Sequence, residues 1–435
     1  MKNFAILVTI LMLFLGQPAF AADDIPDVCG DGIEGTTEGS DSACSAFLLD
    51  RDHDGYTSTG VAGLRGVAHK DCDDTDKWTF PGVWKDDAGT LKECQTDGTW
   101  KSWTGGDWCP LSSDGFILVC GDCRYIDQAT GDDADSGETL ADAWVGYLNF
   151  TTYYYAGPDY EPATHEDPVA GMCYVFLNGT YTDVKSFNTT DAGLNIAYVT
   201  GTSGNPITYI NYPGDAPVIS PATDAYGIYG FQFDYVDIIG LTVADATCSG
   251  MSLTGDNVRI ERNIVYGADD LYTQCNPAGI GFGGAATNIS IRDNLVYDNY
   301  DKVTTPPTGN NAQIQMFGNN PIDNLYIEFN TVYVSDPALA GSTYGIKWKH
   351  GSTDSVNNFV RYNFSYNVGF SLSSANTTLD KNLIIRDQDN SDCITMADQG
   401  GGTFHQNMVI TNNTCLDADT FLSYSATDTW GDPGA

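Results

Sequence analysis

Lysine is scarce in the C-terminal three hundred residues, which makes one pair conspicuous. Beyond position 124 only Lys185, Lys302, Lys347, Lys349 and Lys381 occur, and Lys347 and Lys349 share a strand face next to His350 and Gly351. Two ammonium groups at i and i+2 of a strand stand about 7 Å apart and disfavour each other's charge, so at least one titrates low. A lysine depressed in this way serves as a base. The same face, with Arg361 further on, suits the carboxylate of an acidic sugar, and β-elimination on a uronic-acid polymer needs both actions. The pair equally suits a sheet face that simply meets solvent.

Other chemistries have weaker support. Glycoside hydrolysis needs facing carboxylates, and only Asp234, Asp256, Asp269 and Asp270 stand near the same strands. No Gly-x-Ser-x-Gly, His-Glu-x-x-His or phosphate loop occurs, so the esterase, zinc-protease and nucleotide-enzyme classes drop out. Asp50, Asp52 and Asp54 alternate ahead of Gly55, the layout by which a loop wraps calcium in hard oxygen ligands. The twelfth position of such a loop, normally Glu, is Val61. Asp71, Asp73, Asp74 and Asp76 can complete the set, and carboxylates packed so densely repel one another without a cation. His53 and His69 would suit copper, but oxygen donors dominate.

Composition agrees with an exported chain. Lys2, the apolar run Phe4 to Leu15 and the small-residue site Ala19-Phe20-Ala21 have the three parts of a cleaved secretory signal, assigned to residues 1–21. No later run is apolar enough to span a membrane. Against 58 Asp and Glu stand 19 Lys and Arg, a net charge of −39 that repels nucleic acid and attracts divalent cations. The 12 cysteines read as disulfides in that compartment.

These residues must be positioned by something that repeats. Apolar-x-apolar units recur at Phe231-Gln232-Phe233, Met251-Ser252-Leu253, Ile280-Gly281-Phe282, Ile314-Gln315-Met316, Ile346-Lys347-Trp348, Phe370-Ser371-Leu372, Ile394-Thr395-Met396 and Leu422-Ser423-Tyr424. Between them an apolar-x-apolar-x-x-Asn unit ends at Asn263, Asn294 and Asn330, with variants at Asn363, Asn382 and Asn413 and Gly240 in the first turn. Asn and Gly tolerate the left-handed backbone, so these positions predict sharp bends with stacked amides. Each repeat is too short to bury its own apolar face, and only stacking makes a core. The fold class is therefore all-β: a parallel β-helix of about eight coils, over residues 123–435.

Residues 22–122 read as a Cys- and Asp-rich, metal-stabilised module. A helix is predicted over Glu138 to Leu148, capping the first coil, with Asp135 and Glu138 as its capping box. The outer groove column reads Gln232, Ser252, Gly281, Gln315, Lys347, Ser371, Thr395, and the next Asp234, Thr254, Gly283, Phe317, Lys349, Ser373. Tyr266, Tyr297, Tyr333 and Tyr366 read as a packed aromatic column in preference to a sugar platform. The polar tail from Ser425 lacks an apolar cap, which predicts a continuation or a partner over the last coil.

Two resemblances add to this. Tyr125-Ile126-Asp127, Gly131-Asp132-Asp133, Leu177-Asn178-Gly179-Thr180-Tyr181, Gly204-Asn205-Pro206-Ile207-Thr208-Tyr209 and Tyr212-Pro213-Gly214 resemble the opening of the pectate lyase-like superfamily over about residues 124–424, which implies a right-handed parallel β-helix. Asp50 to Asp76, ending in Phe80-Pro81-Gly82, is similar to a bacterial extracellular metal-binding motif, which implies calcium as the cofactor. Lys347, Lys349, His350 and Gly351 are loosely similar to basic segments of the alginate and chondroitin lyase group. The expected function is engagement of an extracellular polysaccharide by a secreted or cell-surface protein, with Lys347, Lys349, His350 and Arg361 as the catalytic set of a lyase. A non-catalytic, adhesin-like protein is the alternative. An open cleft at the lysines favours the first, a covered face the second.

Overall fold

The computed structural model describes residues 72, 84–87, 90–95, 97–102, 123–132, 135–145, 168–182, 185–187, 190–212, 215–221, 226–269, 277–300, 311–317, 320–336, 343–349, 354–386, 392–397 and 407–425. The chain divides into two compact units, 1–117 and 118–435. In the first, Trp84–Asp87, Thr90–Cys94 and Trp100–Ser102 form an antiparallel three-stranded sheet, and a disulfide joins Cys72 to Cys94. The expected leader and the calcium-loop aspartates, Asp50, Asp52, Asp54, Asp71, Asp73, Asp74 and Asp76, lie outside the described residues. No described helix is long and apolar enough to cross a membrane.

The second unit is a right-handed parallel β-helix. Its coils run through three sheets. The first sheet takes the opening halves of Tyr226–Ile239 and Ser249–Glu261, then Ala278–Gly283, Asn311–Phe317, Thr343–Lys349, Gly369–Leu372, Asp392–Ala397 and Thr420–Ser425. The second takes the closing halves of the two long strands, then Ala286–Arg292, Ile322–Glu328, Asn358–Arg361, Thr377–Asp380 and Val409–Thr411. It is preceded by Cys123–Ile126, Cys173–Phe176 and Ile207–Asn211. The third is a ladder of nine short strands, from Thr180–Tyr181 to Thr414–Leu416. Alternate residues point inward, so Ile280, Ile314, Ile346, Phe370 and Ile394 stack as one buried column and Ile260, Ile291, Ile327 and Val360 as another.

The bend between the second and third sheets is an asparagine ladder. Asn263 Nδ2 donates to Asn294 Oδ1 at 3.1 Å, Asn294 to Asn330 at 3.0 Å, Asn330 to Asn363 at 3.0 Å, Asn363 to Asn382 at 2.9 Å and Asn382 to Asn413 at 2.8 Å. Each ladder residue from Asn263 to Asn382 also donates its backbone N–H to the same oxygen. The stacked amides are as expected, but the left-handed residue is the one before each asparagine: Arg262, Asp293, Phe329, Tyr362, Lys381 and Asn412 have φ between 53° and 60°. The strain of about 1–2 kcal/mol at such a residue is offset by the amide bonds its bend permits.

Three further expectations need correction. Phe231-Gln232-Phe233 does not start the first coil in register, because Ile228-Tyr229-Gly230 pairs with Met251-Ser252-Leu253 and the register shifts at Gln232, whose φ is 51°. Gly230 leaves the inward place empty and the Phe233 ring fills it. Asp234 accordingly pairs with Asp256, outside its assigned column. The predicted helix is only a 3-10 turn, Leu140–Asp142, capped by Thr139 and not by Asp135. Trp144 then joins the sheet, its N–H donating to Tyr125 O and its carbonyl accepting from Asp127 N, and this extended pairing displaces the helix.

The inner end of the third sheet needs room. At Gly227, Gly250 and Gly279 a Cβ would stand only 2.1 to 2.3 Å from Val243, Val265 and Val296, so glycine there lets the valines reach the core. In the last coil, Cys393 opposite Gly369 and Cys415 on the third sheet are joined by a disulfide.

Candidate functional site

Of the basic residues singled out by sequence, Lys347 and Lys349 stand on the first sheet and Arg361 on the second. Trp348 points inward and is 1% exposed, as its place in the repeat requires, which sends Lys347 and Lys349 outward from the coil. The outward face is nevertheless covered at this point. Lys347 is only 1% exposed, its Nζ 4.5 Å from the Tyr344 ring, and its register neighbours Gln315 and Ser371 are equally buried. Lys349 is half-buried, and His350 lies outside the described residues. An open groove along this column is therefore not what the structure shows, and Lys347→Ala would remove packing as well as charge.

Arg361 stands on the second sheet, beyond a corner from the lysines. There the outward column reads Glu261, Arg292, Glu328, Arg361, Asp380, with charge alternating from coil to coil. Glu328 is nearly buried between two guanidiniums, with Arg292 at 2.9 Å and Arg361 Nε hydrogen-bonded on the other side. Arg361 also lies 5.0 Å from the Phe359 ring and 5.6 Å from Tyr362. A guanidinium held by a carboxylate and two rings is a strut between coils. Towards the N-terminal end the neighbouring column buries Asp237 against Arg259 at 3.0 Å, and burial pushes that carboxyl up from its ordinary value although Arg259 opposes it.

Of the remaining candidates, Asp270 lies outside the described residues, and Asp269 pairs through its backbone with Ala246 and Cys248. Asp234 accepts from Asn257, and Asp256 accepts from both the backbone and the hydroxyl of Thr287, so each pins a corner to the next coil. Tyr266, Tyr297 and Tyr333 stack at 5.0 and 4.8 Å with near-parallel rings, and burial raises all three hydroxyls. Rings stacked along the axis cover one another's faces, so the column packs the helix. Among the described residues no group of three or more His, Cys, Asp or Glu could hold a metal ion.

A second asparagine ladder, on the exposed corner between the first and second sheets, leads to a different site. Asn257, Asn288, Asn324, Asn357, Asn376 and Asn407 all have φ between 51° and 58°. Asn288 donates to Asn257 at 2.8 Å, Asn324 to Asn288 at 3.0 Å and Asn357 to Asn324 at 3.2 Å. The next step is broken: Asn376 turns its Nδ2 to Ser355 O at 2.7 Å, and the bond resumes only from Asn407 to Asn376 at 2.9 Å. The coil at the break is short, with 19 residues from Asn363 to Asn382 against 31 to 36 for the other steps of the buried ladder.

At the break the surface sinks into a depression of about 260 Å³, lined by Val356, Asn357, Asn358, Phe359, Asn376, Thr378 and Asn407. Phe359 stacks on Tyr326 at 5.4 Å, and Thr378 follows it in register, so no ring continues the stack. Asn358, fully buried where the coils above have Leu325, donates to Ile322 O at 2.9 Å and accepts from Leu325 N at 3.0 Å, which fixes the floor. Asn357 Oδ1 accepts no hydrogen bond from the described residues. The lining thus offers one ring, a methyl-bearing wall, the Asn357 amide oxygen and a hydroxyl, with no ionisable group. Sequence reasoning followed the Lys pair and missed these residues. Their signal was present, since an Asn recurs at the entry to every second-sheet strand from Asn257 to Asn407.

No protein-family model matches the chain, and no curated relative matches it. Among solved structures it is similar to an alginate lyase from Paenibacillus sp. str. FPU-7, at 17% identity over 59% of this chain and 92% of that one, with a TM-score of 0.41. It is also similar to the pectate lyase Pel9A, at 12% identity over 70% of this chain and 78% of that one, TM-score 0.43. A third is the GH136 lacto-N-biosidase from Eubacterium ramulus, at 12% identity over 70% of this chain and 67% of that one, TM-score 0.39.

Proposed function

We propose that this chain is an exported β-helix protein that engages an extracellular polysaccharide, seating an uncharged sugar unit in the depression beside Phe359. The observation that carries the reading is the break in the exposed asparagine ladder, which puts the Asn357 amide oxygen, the Thr378 hydroxyl and the Phe359 ring around one concavity. Sugars present apolar C–H faces and hydroxyls that both donate and accept, and amides answer both needs. A uronate would find no cation among the lining residues, and the net charge of −39 would repel its polymer.

The burial of Lys347 and the engagement of Arg361 favour binding without β-elimination by the set Lys347, Lys349, His350 and Arg361. Incubation with uronate polymers, monitored by the ultraviolet absorbance of unsaturated ends, should therefore give no product, and steady product formation would restore the lyase reading. Calorimetric titration with neutral and uronate oligosaccharides is expected to show binding of a neutral series. Thr378→Trp, which fills the depression, and Asn357→Ala should weaken it about tenfold or more, on the order of 1.4 kcal/mol. If neither substitution changes the affinity while the circular dichroism is native, the sugar sits elsewhere.

The N-terminal segment bearing Asp50, Asp52, Asp54, Asp71, Asp73, Asp74 and Asp76 is proposed to bind calcium, on its carboxylate spacing. Chelation should lower the melting transition of unit 1–117 and leave that of the β-helix in place. A scan unchanged by chelator, with no calcium found by elemental analysis, would remove calcium from the account.

A further inference from the structure

The first two strands of the second sheet bring two cysteines side by side. Cys123–Ile126 and Cys173–Phe176 pair in parallel with Cys123 directly opposite Cys173. Register neighbours on adjacent strands have Cα atoms roughly 4.8 Å apart, inside the range a disulfide spans. Both side chains leave the same face, and the two thiols are hydrogen-bonded to each other. Cys173 is 2% exposed and Cys123 is half-buried. Along the column the next residues are Thr208 and Asp237, so Cys173 meets no other cysteine among its register neighbours.

The rest of the described chain shows the redox setting in which it matures. Cys72 is bonded to Cys94 and Cys393 to Cys415, and Cys248 is also in a disulfide. Disulfides spread from the small sheet to the last coil belong to an oxidising compartment. A vicinal pair of thiols in contact is then the next to close. We infer that Cys123 and Cys173 are oxidised to a disulfide that fastens the first coil of the β-helix to the second. The two S–H bonds break, an S–S bond forms, and two protons and two electrons pass to a disulfide of a thiol-oxidising protein or small molecule, which leaves as the dithiol. The contact with the Cys123 thiol, and then burial, hold the Cys173 thiol well above its ordinary pKa, so the bond closes while the segment is still accessible during folding.

Such a bond has a mechanical use. The N-terminal strands stand at the end of the stack, where a coil has a neighbour on one side only and frays most readily. Between them lies a long connection from Ile126 to Cys173, whose ends the bond would hold together.

The test is a linkage map of the full chain expressed with export into an oxidising compartment. The protein is unfolded in denaturant, its free thiols are alkylated, and it is digested without reductant and read by mass spectrometry. The expected result is one peptide pair joining Cys123 to Cys173, two hydrogens lighter than the separate peptides and lost on reduction. Alkylation of both residues, or linkage of Cys123 to Cys109 or Cys120, would overturn the inference. A Cys123→Ser/Cys173→Ser variant should melt earlier than the oxidised parent and lose its difference from it when the parent is reduced. If that variant fails to fold, the map of the parent decides alone.

Discussion

Asn330→Ala should destabilise the β-helix by about 3–5 kcal/mol in chemical denaturation, whereas Asn324→Ala, six residues earlier in the same coil, should cost only about 1–2 kcal/mol, chiefly the strain of an alanine in the left-handed conformation. Both are ladder asparagines, and they differ in burial. Asn330 is 1% exposed, and its amide oxygen accepts from both the backbone and the side chain of Asn294. Its Nδ2 donates to Ile291 O, Glu328 O and Asn363 Oδ1. Truncation would leave the Asn294 N–H without an acceptor and take a donor from Ile291 O and Glu328 O, the latter keeping the Asp293 N–H, in a site closed to water, where each unmet group costs about 1–3 kcal/mol. At Asn324, Nδ2 donates to Asn288 Oδ1 and Oδ1 accepts from Asn357, both at a corner that water reaches. Hydrogen exchange sharpens the test: the Asn294 amide should lose protection in the first variant and keep it in the second. Equal costs at the two positions would mean that the buried ladder is not what holds the bends.

The columns of the fold were legible because repetition averages out local noise. Seven of the eight first-sheet triplets read from sequence are the ones that stack, from Met251-Ser252-Leu253 to Leu422-Ser423-Tyr424, and the asparagines at the second bend do form the predicted ladder. The triplet that failed, Phe231-Gln232-Phe233, has the right pattern in the wrong register. A bulge at Gln232 carries the Phe233 ring into the place that Gly230 vacates, and a period-two reading has no means to see an inserted residue. The left-handed residues escaped notice for a related reason. Arg262, Phe329 and Tyr362 are poor left-handed formers by themselves, and only the hydrogen bonds of the following asparagine make the conformation affordable.

The candidate site was read less well. Alternation tells which side chains leave the coil, and it placed Lys347 outside correctly, but it cannot tell whether the outside is covered. Lys347, Gln315 and Ser371 are as buried as the core. The helix over Glu138 to Leu148 failed in a similar way, since its capping pattern is compatible with a helix until Trp144 finds a strand partner in Ile126. The exposed asparagines at Asn357, Asn376 and Asn407 were in plain view, yet what makes them a site is a missing bond between two coils of unequal length. That is a property of stacking and not of any one repeat.

Trp348 carries the second large effect. Its side chain continues the inward column of Phe282 and Met316 and is 1% exposed, so Trp348→Ala should cost about 3–5 kcal/mol through the cavity it opens. Trp348→Phe should cost only about 1–2 kcal/mol. The reason is specific to this site: the indole N–H is buried and donates to no acceptor among the described residues, so a phenyl ring gives up volume without giving up a hydrogen bond. The neighbouring lysine enters the same comparison. Because Lys347 is covered, Lys347→Met, which keeps the stem over Tyr344, should be tolerated better than Lys347→Ala. Urea unfolding followed by far-ultraviolet circular dichroism measures all four variants on one scale. If Trp348→Ala lies within about 1 kcal/mol of the parent, the ring is not in the core and the strand's two faces are exchanged. If Trp348→Phe is as damaging as Trp348→Ala, the indole N–H has a partner that stabilises this coil, and the strand's role would have to be rebuilt around that bond.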